Sequence, residues 1–309
     1  MKAVRNAPPT VEVVEVDEPE GDGQLVRVAT TSICASDLMY LRYGSTQIAG
    51  HEFAGTLEDG TAVAVEAIFG CGSCPECEQG NYNMCHLGPT ALGMLQPGGM
   101  SEWYRAPSHA LHPLPEGLRL SDASLVEPAS VGRHTCHVGG VGSDTRFAVV
   151  GAGAIGLLAA ASAQQMGAAE VAVEALLPHQ HEARERMEAT VPTGDYDVVV
   201  EASGDPSGLQ RAVELARRGG TVVLLGTYDP DTSWPFGAAF SKEVGLKFSL
   251  GYCGHDGRRE FEESADMLAS RPDLSDMLIT HRYGIDDAAE AFRVAQDQTL
   301  GVFRVVIEP

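Results

Sequence analysis

The chain has 309 residues, 44% of them hydrophobic, which is long enough to bury a large core and to form two domains more readily than one. Its 43 Asp and Glu against 21 Lys and Arg give a formal charge of -22 with no offsetting basic tract, so nucleic acid and anionic membrane surfaces are not expected partners. The 21 cations include only three lysines (Lys2, Lys242 and Lys247), a bias that suits a GC-rich or salt-adapted source and a solvated acidic surface.

The opening MKAVRNAPPTVEVVEV has no apolar run behind its basic residues, and no later segment is apolar over the roughly 18 residues a membrane span requires; a cytoplasmic location is expected. Through about residue 125, the short runs VEVVEV, QLVRVAT and TAVAVEAIF are punctuated by Gly, Pro and Asp, which predicts a small barrel-like or irregular β domain. Within it, Cys71, Cys74, Cys77 and Cys85 are spaced C-x2-C-x2-C-x7-C. In a reducing compartment this density favours a metal over disulfides. Four thiolates satisfy the tetrahedral preference of zinc and leave no open position, so such a site would be structural; an iron–sulfur cluster is the alternative.

From about Thr145 the pattern changes. RFAVVGAGAIGLLAAASAQQMGAAEVAVEA predicts strand, glycine turn, Ala-rich helix and strand; the strands DYDVVVEASG and GGTVVLLG follow, separated by the helical PSGLQRAVELARR. Strands alternating with helices at this spacing predict a parallel sheet and an α/β unit. Gly151, Gly153 and Gly156 follow the strand FAVV and open the helix, the context of a dinucleotide turn: Gly151 for the tight turn, Gly153 for approach of the pyrophosphate, Gly156 for close helix packing. The phosphates would rest at the helix N-terminus, at Ala154 and Ile155, and Thr227 after GGTVVLLG is a further candidate contact. Glu174, eighteen residues past Gly156, is placed to bind the ribose hydroxyls, and no arginine follows at once to hold a 2′-phosphate, although His179 and His181 offer an alternative; NAD is expected over NADP. The last sixty or so residues return to mixed structure, with REFEESADMLAS and IDDAAEAFRVAQ as amphipathic helices and GVFRVVIEP as a closing strand.

Cys34 in ICASD and His51 in GHEFAG stand seventeen residues apart, which alone carries little. Together with the cysteine cluster, VEPASVG, the glycine turn and LITHRYGIDDAAEAF, in that order, the chain resembles the zinc-dependent medium-chain dehydrogenase/reductase family of alcohol and polyol dehydrogenases over essentially its whole length. The resemblance implies a Rossmann-type doubly wound sheet over residues 128–250 and a β-rich GroES-like catalytic domain from 1–127 and 251–309, with the active site in the cleft. It implies two zinc ions per chain. Cys34 and His51 would ligate the catalytic zinc, Glu52 would be a ligand or swing in as one, and Glu127 would be a third ligand or the hydrogen-bond partner of the zinc water. Asp37 would orient His51, and Ser36 would carry the hydroxyl proton away. Glu rather than Cys at 127, with Tyr40 and Tyr252, looks like the polyol branch, and TSICASDL and VEASGDPSGLQRAVELARRGG are similar to bacterial aminocyclitol dehydrogenases.

The implied activity is hydride transfer between NAD(P) and a secondary alcohol on a polyol, cyclitol or sugar-like molecule, in a homodimer or homotetramer. The alternatives are an NADPH-dependent aldehyde or ketone reductase and a zinc-stabilised binding protein without chemistry. Three departures from the family stand out. The segment between Glu174 and DYDVVVEASG is short, with one helix over HEARERMEA and then only TVPTG where a strand and a further helix are expected, predicting a trimmed outer edge of the sheet; Met39 replaces a relay histidine; and Gly251 stands where a polyol-branch arginine is expected. A gap-free match also puts Ala175, not Glu174, at the ribose-binding position.

Overall fold

A computed structural model describes residues 1–229 and 231–309. The chain divides into two compact units, Met1–Glu127 with Cys253–Pro309, and Pro128–Tyr252.

In the first unit, β-branched residues alternate with polar ones and glycine, proline or aspartate stops each run, so the segments are short strands. Lys2–Ala7 (β1) and Thr10–Glu15 (β2) pair with each other, and Gln24–Ser32 (β3), Glu52–Leu57 (β4) and Ala62–Val65 (β5) are antiparallel neighbours, with Ala35–Arg42 (α1) between β3 and β4. TAVAVEAIF does not form one strand. It breaks after Val65 and resumes as Ile68–Phe69 (β6), because the intervening Glu66 is fully buried and its carboxylate is claimed by the Tyr82 hydroxyl, His112 Nε2 and Arg259. The cysteine-rich loop contributes a single helical turn, Pro75–Glu78 (α2), and Thr90–Ala91 (β7), which pairs with β6; Trp103–Ala106 (β8) and Leu111–Pro113 (β9) complete this part.

Val126–Gly139 forms a further helix (α3). Its β-branched residues and internal glycines are poor helix formers, and packing overrides them: a Cβ at Gly132 would stand 2.7 Å from the Ala159 amide nitrogen, so only glycine permits this approach. The second unit then runs Arg146–Val150 (β10), Ala154–Gln165 (α4), Glu170–Glu174 (β11), Pro178–Arg186 (α5), Tyr196–Glu201 (β12), Pro206–Leu215 (α6), Ala216–Leu224 (β13), Phe236–Lys242 (α7) and Gly245–Phe248 (β14). The strands form one parallel sheet in the order β11-β10-β12-β13-β14. Alternate residues of β10 serve opposite faces: Ala148 and Val150 pack with Leu209, Ala212 and Val213 of α6, while a Cβ at Gly156 of α4 would stand 3.0 Å from Val149 Cγ1. The sheet is therefore doubly wound.

Its outer edge is trimmed as expected. A 3-2-1-4-5-6 sheet loses its third strand here, and Thr190 alone bridges Ala172, exchanging Val173 N–H to Thr190 O at 2.9 Å and Thr190 N–H to Val171 O at 3.0 Å. Two boundaries differ from the sequence pattern. The helix expected over HEARERMEA starts earlier, with Pro178 at its first position, and ends before Glu188, whose φ is +56°. The helix expected through Arg218 stops at Leu215, because Ala216 pairs with Tyr196 and Arg217 Nε donates to Asp197 Oδ1 at 2.6 Å.

The chain then re-enters the first unit with a hairpin, Gly254–His255 (β15) and Arg258–Arg259 (β16), and the helices Glu260–Ser270 (α8) and Pro272–Leu278 (α9). Ile279–Gly284 (β17), Ala288–Ala295 (α10) and Arg304–Glu308 (β18) follow. The main sheet has the order β17-β18-β3-β4-β5-β9, with β8 also on β3. This brings the last strand of the chain beside β3, and Ile33, Leu41, Met100, Phe292 and Ile307 share one core.

Candidate metal centres and dinucleotide turn

Both cysteine-containing centres anticipated from the sequence belong to the first unit. Cys34 is the N-cap of α1, and its N–H donates to Asp37 Oδ2 at 2.8 Å. Gly50, at φ +95°, turns the chain into β4 and presents His51 and Glu52; a Cβ there would stand 2.9 Å from the Met100 amide nitrogen. The ligand atoms of Cys34, His51 and Glu52 thereby come within 4.8 Å of one another. Asp37 is buried, its Oδ1 3.4 Å from His51 Nδ1, while His51 Nε2 lies 3.2 Å from Ser36 Oγ. A carboxylate thus faces the ring on its Nδ1 side, the arrangement that leaves Nε2 for a metal.

Glu127, in the first turn of α3, is buried but is not in the set that converges within 4.8 Å. Burial pushes it up to about 8, with Glu52 and Asp37 adding to the rise and His51 and Arg304 opposing it. Burial also opposes protonation of His51, yet Asp37 and Cys34 beside it hold it well above its ordinary value. Tyr40, on α1, is half-buried, as is Met39.

Arg304 of β18 is a residue the motifs do not reveal. It is buried, Nη2 stands 3.0 Å from Glu52 Oε1, and Nη1 donates to the Ile33 carbonyl at 3.2 Å, while the other Glu52 oxygen accepts from the Ser32 hydroxyl. Asp37, Glu52, Glu127 and the Cys34 thiol thus share their surroundings with the His51 imidazole and the Arg304 guanidinium, a set of acidic groups whose ionised forms a divalent cation would stabilise. A thiolate, an imidazole and carboxylates suit zinc and leave a coordination position open, so the residues fit the ion.

In the cysteine-rich loop, Cys74 caps α2, Cys77 lies within it, and Gly72 and Gly80 take φ of +74° and +88° to wrap the backbone. All four sulfurs fall within 4.8 Å of one another; Cys71 to Cys77 is 4.0 Å and Cys74 to Cys85 is 3.9 Å. Tetrahedral zinc with ~2.3 Å bonds places its sulfurs ~3.8 Å apart, so the set is sized for one ion rather than a multi-iron cluster. Among the described residues no disulfide joins any of the seven cysteines. Backbone and hydroxyl hydrogen bonds from Ser73 lower Cys71 to about 6, while desolvation raises Cys77 to about 12.

In the second unit, Gly151 has φ +103° and a Cβ there would stand 2.6 Å from the Ser203 amide nitrogen. A Cβ at Gly156 would overlap the Gly151 carbonyl oxygen, whereas one at Gly153, the N-cap of α4, would meet nothing within 4 Å. A turn closed on two sides and open at its middle glycine fits a pyrophosphate over the first helical residues, Ala154 and Ile155. Glu174 ends β11 and is ion-paired with Arg211, and Thr227 is exposed beyond β13. Glu201 was not singled out by any motif. It is fully buried at the carboxyl end of β12 and accepts from Ser203 N–H at 2.8 Å, Gly204 N–H at 3.2 Å and the hydroxyls of Ser203 and Tyr228, tying together the loops beside the turn.

Comparison with known proteins agrees with this geometry. The profile of the alcohol dehydrogenase GroES-like domain matches residues 21–116, and that of the zinc-binding dehydrogenases matches residues 159–270. The chain belongs to the zinc-dependent medium-chain dehydrogenase/reductase family. It is 28% identical to the D-xylulose reductase of Saccharomyces cerevisiae over 96% of its length and 93% of the relative's. The structure of galactitol-1-phosphate dehydrogenase from Escherichia coli superposes with a TM-score of 0.88 at 27% identity, covering 100% of both chains. A zinc-binding dehydrogenase from Sinorhizobium meliloti, solved bound to NADP, gives 0.85 at 25% identity over 100% of this chain and 99% of its own. The protein is thus an oxidoreductase of a zinc- and nicotinamide-dependent family. Among the described residues no helix is long and apolar enough to cross a membrane.

Proposed function

We propose that this protein passes hydride between a secondary alcohol on a polyol, cyclitol or sugar-like molecule and a nicotinamide dinucleotide, NAD in preference to NADP. In this reading each chain holds a catalytic zinc at Cys34, His51 and Glu52, with Glu127 nearby, and a structural zinc at Cys71, Cys74, Cys77 and Cys85. The supporting observation is the convergence of Cys34, His51 and Glu52 within 4.8 Å, with Asp37 on the far side of the imidazole. Zinc bound there supplies Lewis acidity that can lower the pKa of a bound oxygen from about 16 to about 7, roughly 12 kcal/mol.

The chain's own residues do the rest. Asp37 fixes the His51 ring, Arg304 and Ser32 hold Glu52, and Ser36 hands the hydroxyl proton toward solvent in place of a relay histidine, since Met39 cannot carry one. Gly151–Gly156 hold the dinucleotide, and the xylulose and galactitol-phosphate activities named for the two polyol relatives support the substrate class. A cluster of four cysteines placed for a metal rather than for disulfides suits a reducing cytoplasm.

Steady-state kinetics of the zinc-loaded protein on polyols, cyclitols and simple aldehydes, with both dinucleotides, tests this. The expected result is a kcat/KM for a polyol or cyclitol with NAD about tenfold or more above that for any simple aldehyde with NADPH. The reverse order would make it an aldehyde or ketone reductase. No turnover of any substrate would make it a binding protein.

We also infer a homo-oligomer built on β14. This edge strand is exposed along its length, and Phe236, Phe240, Phe248 and Leu250 beside or within it are 74%, 73%, 72% and 68% exposed. A second copy pairing antiparallel about a two-fold axis completes the open hydrogen-bond row and covers the aromatics. Phe248→Asp is expected to convert the oligomer to monomer by light scattering; wild type at monomer mass, or a variant of unchanged mass, contradicts this.

A further inference from the structure

The acid at the end of β11 is not a free carboxylate. Glu174 pairs in register with Val150, the residue before the Gly151 turn, and so stands level with the carboxyl end of the sheet. Side chains two apart on a strand share a face, and Ala172 packs in the cluster formed by α6, so Glu174 is directed toward that helix. There Arg211, thirty-seven positions downstream, places Nη2 at 3.2 Å from Glu174 Oε2. The nearest further acid is Glu214, 3.8 Å from the other guanidinium nitrogen. Glu174 and Arg211 are 36% and 37% exposed, open to a ligand. Ala175, the next residue, carries no charge.

An unpaired carboxylate at this position accepts a hydrogen bond from a ribose 2′-hydroxyl and repels a 2′-phosphate. A guanidinium in contact cancels that repulsion and is itself a bidentate donor for phosphate oxygens. We propose that the Glu174–Arg211 pair reads the 2′ position of the adenosine ribose, Glu174 taking the hydroxyl of NAD and Arg211 the phosphate of NADP. The protein then prefers NAD only modestly and accepts both. This rests on the dinucleotide role of Gly151–Gly156.

The test is to titrate NADH and NADPH into zinc-loaded wild type, Glu174→Gln and Arg211→Gln, following nicotinamide fluorescence without substrate. Wild type is expected to bind both, with dissociation constants within about tenfold of each other. Glu174→Gln frees the guanidinium and is expected to move the NADH/NADPH affinity ratio about tenfold toward NADPH; Arg211→Gln leaves a bare carboxylate and moves it about tenfold toward NADH. Opposite signs are the signature, since a purely structural pair would weaken both dinucleotides alike in both variants. Binding retained with the ratio unchanged overturns the role of the pair alone. A wild-type protein that binds neither dinucleotide overturns the pair and the glycine turn together.

Discussion

Cys34→Ser is expected to lower kcat/KM by about 10⁴-fold or more and to reduce zinc from two ions per chain to one, with the melting temperature shifted by no more than a few degrees. Serine is a better N-cap than cysteine, so α1 keeps its first turn and the backbone that presents Ser36 and Asp37. What it lacks is a thiolate. A loss of 10⁴ corresponds to about 5.5 kcal/mol of transition-state stabilisation, roughly half of what a Lewis acid can contribute to ionising a hydroxyl. Without the ion, Glu127, raised to about 8 by burial and its acidic neighbours, can take up a proton near neutral pH. The fold therefore tolerates the loss better than the chemistry does. Metal analysis by mass spectrometry, steady-state kinetics and thermal melting on one preparation decide it: a variant that keeps both ions and its turnover removes Cys34 from the active centre.

Cys74→Ser is expected to act in the opposite sense, lowering the melting temperature by about 10 °C and releasing the other zinc. The loop it belongs to has little core of its own: Cys71 is exposed and no residue of α2 is buried. Cys85 is buried and Tyr82 reaches Glu66, so the loop is pinned at one end, and the ion must hold the rest. A structural zinc contributes folding energy directly, and losing one of its four ligands in a chain of this size should cost on the order of 3–5 kcal/mol, at about 2–4 °C per kcal/mol. Melting with and without a chelator checks it. If wild type with chelator and Cys74→Ser both melt where untreated wild type does, the four sulfurs are not a structural metal site.

Local spacing made part of this protein readable before any coordinates. The four cysteines lie within fifteen positions, so a helical turn and two glycines at positive φ suffice to close their cage, and a short-range pattern carries nearly all of the geometry. The glycine turn is legible for the same reason, since strand, turn and helix are consecutive, and the shortened segment after Glu174 translated directly into a sheet without its outer strand. Helix ends were less legible. Ala216 and Arg217 are strong helix formers and become strand only because Tyr196 and Asp197 lie beside them.

The residue order alone determined the parallel α/β sheet, the β-rich unit with its cysteine cluster, and the proximity of Ser36 and Asp37 to Cys34, because each depends on neighbours a few positions apart. Tertiary structure alone decided that Arg304 confronts Glu52, that Glu66 interrupts a strand to meet Arg259, and that Arg211 stands against Glu174. Those partners are separated by 37 to more than 250 positions. Burial makes an unpaired charge costly and so selects such pairs, but a one-dimensional pattern does not show which strand or helix will supply the opposite charge.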